Sequence, residues 1–192
     1  MKLLSFLTML TISLCGGLCC PPEDDYTTIN IENNNIVKIE NNQDTFNLGE
    51  KIYITTIIKN QQTSVDNQTL LLTDYLDTTN NEAYIYNSFT LYKETNFNTL
   101  SIIPINNDVL EIITGNATVN NEYIQVESPY NSNTFTSKFS ITLLESGTFY
   151  LSGNGYNNAV YFDVNTNGKE YISISSEIIN SNDNNYYKFT VN

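Results

Sequence analysis

The chain has no histidine, no tryptophan and no arginine; its 8 basic residues are all lysine. Each absence removes a class of chemistry. Without histidine there is no Ser-His or Cys-His dyad and no imidazole metal ligand. Without arginine there is no planar fork to clamp a phosphate or carboxylate on two bonds. Glycine is scarce, at 8 residues, and forms no G-x-G-x-x-G phosphate cradle; no G-x-S-x-G or S-x-x-K segment marks an activated serine. Alanine, the strongest helix former, occurs 3 times in 192 residues, which excludes an all-helical protein.

What is abundant points to strands. The chain holds 31 Asn, 23 Thr, 21 Ile and 14 Tyr, and Thr, Ile and Tyr fit a pleated, half-buried surface. Hydrophobic residues make up 40%, enough for a buried core. The formal net charge is -13 and the pI is about 4.1. With few, scattered lysines the chain offers no electrostatic footprint for nucleic acid, and its acidity reads as solubility for an exposed domain.

The start of the chain is the most informative stretch. Lys2 is followed by Leu3 to Leu14 (LLSFLTMLTISL), a largely apolar run of 12. That is too short to span a bilayer core, which takes about 20 residues, and it suits the apolar region of a signal peptide. Cys15, Gly16, Gly17, Leu18, Cys19 and Cys20 follow, then Pro21-Pro22-Glu23-Asp24-Asp25. All 3 cysteines lie in this junction. A disulfide framework ties distant points of a body together, so these thiols suit another role, receipt of a lipid after leader cleavage.

The leader, Cys19-Cys20 and Glu23-Asp24-Asp25 together resemble bacterial lipoprotein precursors, in particular surface lipoproteins of the Bacteroidota type. The resemblance implies a lipoprotein signal peptide over 1–18, a lipidated acidic tether over 19–26, and attachment at the outer membrane with the body displayed at the cell surface. Cys19 is the implied lipidation site and Cys20 the alternative. Leu18 stands where such junctions carry a small residue. Cleavage after Gly17 by ordinary signal peptidase is the other outcome, and it leaves a periplasmic or secreted protein. Cleavage before Cys19 removes Lys2 and leaves 7 lysines against 21 acids. Membrane attachment then comes from covalent lipid rather than from the protein's own surface.

Residues 27–192 read as a string of strands. Alternating apolar runs are separated by Asn, Asp, Gly and Ser clusters every 8 to 15 residues, the spacing of a sandwich or barrel. Expected strands include 28–32, 36–40, 45–60 with Phe46, Leu48, Ile52, Ile54 and Thr56 inward and a bend at Gly49, and 83–94 with an irregularity near Asn87. Residues 61–69 read as a loop, and 70–76 as a strand or a helical turn. Leu100–Ile105 and Val109–Ile113 are paired apolar runs. Phe139, Ile141 and Leu143 share one face, Val160–Val164 and Tyr171–Ser175 form a hairpin, and Tyr186–Val191 is a terminal strand. The segment Glu145-Ser146-Gly147-Thr148-Phe149-Tyr150-Leu151 resembles the E–F corner of immunoglobulin-like domains, with Phe149 in place of the corner tyrosine and Leu151 in place of the disulfide cysteine. The expectation is an all-β, immunoglobulin-like antiparallel β-sandwich of about nine to eleven strands; two small sandwiches joined near residue 95 or 130 are the alternative.

Three constellations bear on chemistry. Asp163-Val164-Asn165-Thr166-Asn167-Gly168 matches the first half of a calcium loop, with oxygen donors Asp163, Asn165 and Asn167 and a glycine for the turn. Position 12 is Ile174, so the bidentate glutamate is missing, and a hairpin turn is the plainer reading. Acids gather at Asp74, Asp77 and Glu82, as they do on any solvated acidic surface. Tyr150, Tyr156, Tyr161, Tyr186 and Tyr187 crowd the last third, where exposed rings could stack on sugars. No cofactor or metal is expected. The sequence points to a non-enzymatic binding or structural module of the cell envelope with a protein or glycan ligand. A glycan-binding accessory of a nutrient-uptake system and a calcium-stabilised adhesin are the alternatives.

Overall fold

The computed structural model describes residues 27–76, 83–120, 122–164, 166 and 170–192. The leader, Cys19, Cys20, the tether, Asp77, Glu82, Asn165 and Asn167 lie outside them. The strands are β1 (Thr27–Glu32), β2 (Val37–Ile39), β3 (Thr45–Phe46), β4 (Lys51–Lys59), β5 (Gln61–Thr63), β6 (Thr69–Leu71), β7 (Tyr84–Glu94), β8 (Leu100–Ile102), β9 (Leu110–Thr114), β10 (Asn116–Asn120), β11 (Tyr123–Asn131), β12 (Thr134–Thr142), β13 (Gly147–Gly153), β14 (Val160–Val164), β15 (Glu170–Ser176) and β16 (Tyr187–Val191). Eleven have five residues or more, and the other five are segments of two or three.

Two sheets face each other. The first runs β1-β15-β14-β7-β11-β10, with β13, β16, β3 and β8 joined around the second half of β7; the second runs β2-β4-β12-β9. Strand β11 pairs with β7 along its first part and with β12 at its end, where Ser132 and Asn133, both at positive φ, make the tight hairpin turn. The sheets therefore form one folded-over ladder. The body is an all-β sandwich, antiparallel except for β1 against β15 and β3 against β16 at its margins. Those parallel partners lie far apart in sequence, so no hairpin dictates their direction.

Alternation builds the core. Ile52, Ile54, Thr56 and Ile58 of β4, Phe135, Phe139 and Ile141 of β12, and Ile85, Phe89 and Leu91 of β7 all point between the sheets and are buried. The rings of Phe89 and Phe139 meet across the gap at 5.8 Å. Seven of the eight described phenylalanines are buried; Phe97, in a turn, is the exception. The corner segment behaves as its pattern suggests. Phe149 and Leu151 are buried, and the Phe149 ring stacks on Phe189 at 5.6 Å.

Asparagine supplies the turns. Among the described residues nine asparagines adopt positive φ, a conformation that short polar side chains tolerate by hydrogen bonding locally. This is how a chain with 8 glycines makes so many tight connections.

Several sequence expectations are corrected. Leu48 is exposed rather than inward, because the Asn47–Glu50 turn, with Gly49 at φ 86, breaks the strand after Phe46. Residues 61–69 are not all loop: β5 pairs with β6. Strand β7 shows no slip at Asn87; Ile85, Asn87, Phe89 and Leu91 are all inward, so Tyr84 and Tyr86 are outward. The apolar runs at 100–105 and 109–113 do not pair with each other. Strand β8 joins β7 and β9 joins β12, one in each sheet.

A tyrosine-lined hollow as candidate functional site

The same alternation that places phenylalanine inside places tyrosine outside, and on one sheet. Tyr84, Tyr86 and Tyr92 of β7, Tyr123 of β11, Tyr150 of β13, Tyr161 of β14 and Tyr171 of β15 each neighbour an inward residue and face outward from the first sheet. In the second sheet β2, β4, β9 and β12 carry one tyrosine, Tyr53, and the end of β11 that pairs with β12 adds Tyr130.

Strand β7 opens a hollow in this face. Its second half, from Phe89 to Lys93, pairs with β13, while Ile85 to Asn87 pair with β14 on the same edge. Strands β13 and β14 are consecutive and collinear. Between them the chain leaves the sheet at Gly153, makes a one-turn excursion through Tyr156–Asn158 and returns at Val160. Asn154 N–H donates to the Ser88 carbonyl at 3.3 Å, and Gly155 N–H to the Ala159 carbonyl at 3.1 Å, which closes the neck of the excursion. Gly153 is required at that neck: a Cβ there would land on the Ala159 carbonyl and the Val160 Cα.

The hollow measures about 300 Å³ and is lined by Tyr86, Asn87 and Ser88 of β7, Tyr123 and Gln125 of β11, Tyr161 and Asp163 of β14, and Asn154 and Gly155 of the excursion. It continues into a recess of about 460 Å³ through Tyr86, Asp163 and Tyr171, and into one of about 240 Å³ past Tyr161 toward Tyr156. Its walls are held in place. Tyr171 Oη donates to Asp163 Oδ1 at 2.9 Å, and Asn120 Nδ2 donates to Tyr123 Oη at 2.7 Å. Burial first, then the Asp163 hydrogen bond and charge, push the Tyr171 hydroxyl above its ordinary pKa, so it remains a donor. No lysine lines the hollow or its extensions.

A second aromatic group lies on the same face, where Tyr186 packs edge-on against Tyr92 at 5.7 Å and Tyr150 at 5.9 Å. Lys188 Nζ sits 5.6 Å above the Tyr150 ring. Of the five late tyrosines, Tyr156 and Tyr161 border the hollow system, Tyr150 and Tyr186 form this neighbouring cluster, and Tyr187 does neither. Its ring is buried in the core, and its hydroxyl donates to the Gln43 carbonyl at 3.0 Å. Sequence reasoning missed Tyr86, Tyr123, Ser88, Gln125 and Asn154. For Tyr86 and Ser88, strict alternation through β7 was the available signal.

Of the calcium-loop candidates, Asp163 is exposed on β14 and engaged by Tyr171, while Asn165 and Asn167 lie outside the described residues. Among the described residues no three His, Cys, Asp or Glu side chains gather as a metal cluster. Nor is any helix among them long and apolar enough to cross a membrane.

No protein-family model matches the chain, and no curated protein matches it. Among solved structures, it is similar to a type II cohesin domain from the cellulosome of Acetivibrio cellulolyticus, at 15% identity and a TM-score of 0.35 over 84% of this chain and 95% of that one. It is also similar to a non-cellulosomal cohesin from the hyperthermophilic archaeon Archaeoglobus fulgidus, at 14% identity and a TM-score of 0.30 over 75% of this chain and 90% of that one.

Proposed function

We propose that this chain is a non-enzymatic binding module of an exported envelope protein, and that the hollow on the outer face of its first sheet takes an uncharged saccharide. The observation that carries the reading is the lining itself. Tyr86, Tyr123 and Tyr161 present flat apolar rings with polar tips, the surface on which a sugar ring stacks. Gln125, Asn154, Ser88 and Asp163 supply donors and acceptors for its hydroxyls. With Asp163 in the wall and no cation, an anionic sugar is repelled. The size is at the lower end of small-molecule sites, about 300 Å³ and up, and the two extensions give room for further residues of an oligosaccharide.

Binding without turnover fits the same lining. Hydrolysis of a glycosidic bond uses two carboxyl groups, about 5–9.5 Å apart, and Asp163 is the sole carboxylate lining the central hollow. In this reading an acyl group on Cys19, or on Cys20, tethers the module through residues 19–26 to the outer membrane.

The test is calorimetric titration with neutral oligosaccharides and with uronic-acid oligosaccharides of matched length. We expect binding by a neutral ligand only, and a loss of about tenfold or more for Tyr161→Ala and for Tyr123→Ala. Binding that survives both substitutions, or that prefers the anionic series, refutes the reading. Intact mass of the protein extracted from membranes reports the cleavage site and acyl chains independently.

A further inference from the structure

The lysines are scattered in sequence but not in space. Strands β2, β4 and β12 lie side by side in the second sheet. Their outward positions carry Lys38, Lys51, Lys59 and Lys138 among Thr, Ile and Tyr, with no acid on any of the three strands. Two lysines are answered from the rim: Lys51 pairs with Glu111 at 2.9 Å and Lys138 with Glu40 at 3.1 Å. Among the described residues Lys38 and Lys59 are exposed and make no ion pair. Four lysines against two glutamates make this the cationic patch of an otherwise acidic body. Eight residues along β4 separate Lys51 from Lys59, about 27 Å at ~3.4 Å each, and three strands span about 10 Å.

We propose that this lysine face rests on an anionic lipid headgroup surface, and so turns the tyrosine hollow on the opposite sheet away from the membrane. The chemistry is charge complementarity with a flat partner. The patch is itself a flat sheet face, its free cations sit on long stems, and Thr and Ser between them bring no negative charge. The acids of the first sheet's outer face, Glu32, Glu94, Glu127 and Asp163, lie across the whole sandwich. Two packed sheets are about 10 Å apart, and the side chains beyond them put those acids farther than the screening length of about 8 Å at physiological salt. Their repulsion is therefore screened while the lysines' attraction is not. Each lysine held at an anionic surface is worth roughly a fivefold bias. Lys38 and Lys59 alone would then favour this orientation by roughly twenty- to thirtyfold. That is too little to capture a free protein, but enough to orient one that is already tethered. The proposal thus rests in part on the acyl tether of the preceding reading.

Amine footprinting by acetylation and mass spectrometry tests it on the mature protein as extracted from membranes. The protein is incubated with vesicles of phosphatidylcholine alone and of phosphatidylcholine with an equal part of phosphatidylglycerol. We expect labelling of Lys38 and Lys59 to fall about fivefold or more on the anionic vesicles only, to recover at about 1 M salt, where screening shortens to ~3 Å, and to leave Lys188 unchanged. The paired variant Lys38→Gln/Lys59→Gln should remove the protection of Lys51 and Lys138 without lowering thermal stability. Equal labelling on both vesicle types overturns the proposal, and so does protection by soluble polyglutamate but not by vesicles. Intact mass of the same sample separates the two readings. An acylated chain with equal labelling loses the orientation and keeps the tether. An unacylated chain overturns both, because two free lysines do not hold an untethered protein at a vesicle.

Discussion

Replacing Thr56 by valine should stabilise this protein, while replacing its cross-strand neighbour Ser137 by alanine should destabilise it. Both residues face inward, on β4 and β12, and are opposite each other in the ladder. Thr56 is fully buried, and its Oγ1 has no hydrogen-bond partner. Ser137 is also buried, but its hydroxyl accepts from Ser128 Oγ at 3.0 Å. A buried hydroxyl without a partner forfeits its hydration, about 1–3 kcal/mol. Valine keeps the shape and replaces the oxygen with a methyl, so Thr56→Val should gain about 1–2 kcal/mol. At about 2–4 °C per kcal/mol for a domain of this size, that raises Tm by about 2–8 °C. Ser137→Ala strands the Ser128 hydroxyl and should lose about 1–2 kcal/mol. The double variant Ser128→Ala/Ser137→Ala should recover most of that, since removing both partners is nearly neutral. Urea unfolding with an unchanged m-value is the assay. A Thr56→Val protein less stable than the parent would refute the reasoning, because it would mean that the hydroxyl is satisfied.

At the neck of the excursion, Gly153→Ala drives a Cβ into backbone that cannot give way, and should cost several kcal/mol or abolish folding, read by thermal melting. Gly155→Ala meets the Tyr161 ring and, at 2.8 Å, the Ala159 carbonyl oxygen; it should displace that side chain and weaken ligand binding while lowering Tm less than Gly153→Ala does, and unchanged affinity would refute the placement of Tyr161 in the site. Stability should be flat between about pH 5 and 10 and fall outside that window. Backbone and side-chain hydrogen bonds from Asn47 hold Glu50 below the usual carboxylate range, and Lys51 does the same for Glu111. Groups depressed in the folded state stabilise above their ordinary value near 4.3 and lose that contribution as pH falls. Burial raises the hydroxyls of Tyr171, Tyr186 and Tyr187, so their contribution is complete below about 10 and is lost as pH rises through the folded values. The urea midpoint against pH, with tyrosinate absorbance followed in parallel, checks both limbs.

The fold was legible where alternation is clean. Phe139, Ile141 and Leu143 on one face, the Val160–Val164 hairpin and the corner at Gly147 all follow from a period of two and a turn signal. It was illegible where polar residues are buried or apolar ones exposed. Asn87 lies in an inward row with Phe162 and Val126 as its strand neighbours, and an asparagine there disguises the phase of β7. That disguise hid the outward position of Tyr86, and with it the hollow. Strand β10 (NATVN) pairs with β11 although it holds just Ala117 as a buried residue, so its pattern carries no hydrophobic signal. Its partner β11 supplies the reason to be extended, which is tertiary context no local reading contains. The hollow itself arises where β7 changes partner from β14 to β13, a property of the ladder and not of any one segment.

The tyrosine face lies outside the core. The core is filled by phenylalanine and branched aliphatic side chains, and the outward positions of a sandwich need only be soluble and strand-compatible. The second sheet meets that requirement with threonine, lysine and isoleucine, and its tyrosines are Tyr53 and, at the end of β11, Tyr130. The first sheet, ten strands against four, has the same demand, yet it presents seven outward tyrosines drawn from five strands. Strand propensity cannot separate the two sheets, since it acts on both equally. Core packing cannot either, because these rings point away from it. Rings gathered on a surface carry a cost in solubility, and here Tyr86, Tyr123, Tyr161 and Tyr171 converge from four strands onto a hollow, and its recess, that the chain leaves the sheet to make. A face whose rings lie outside the core and outnumber those of the opposite sheet is best explained by what it touches.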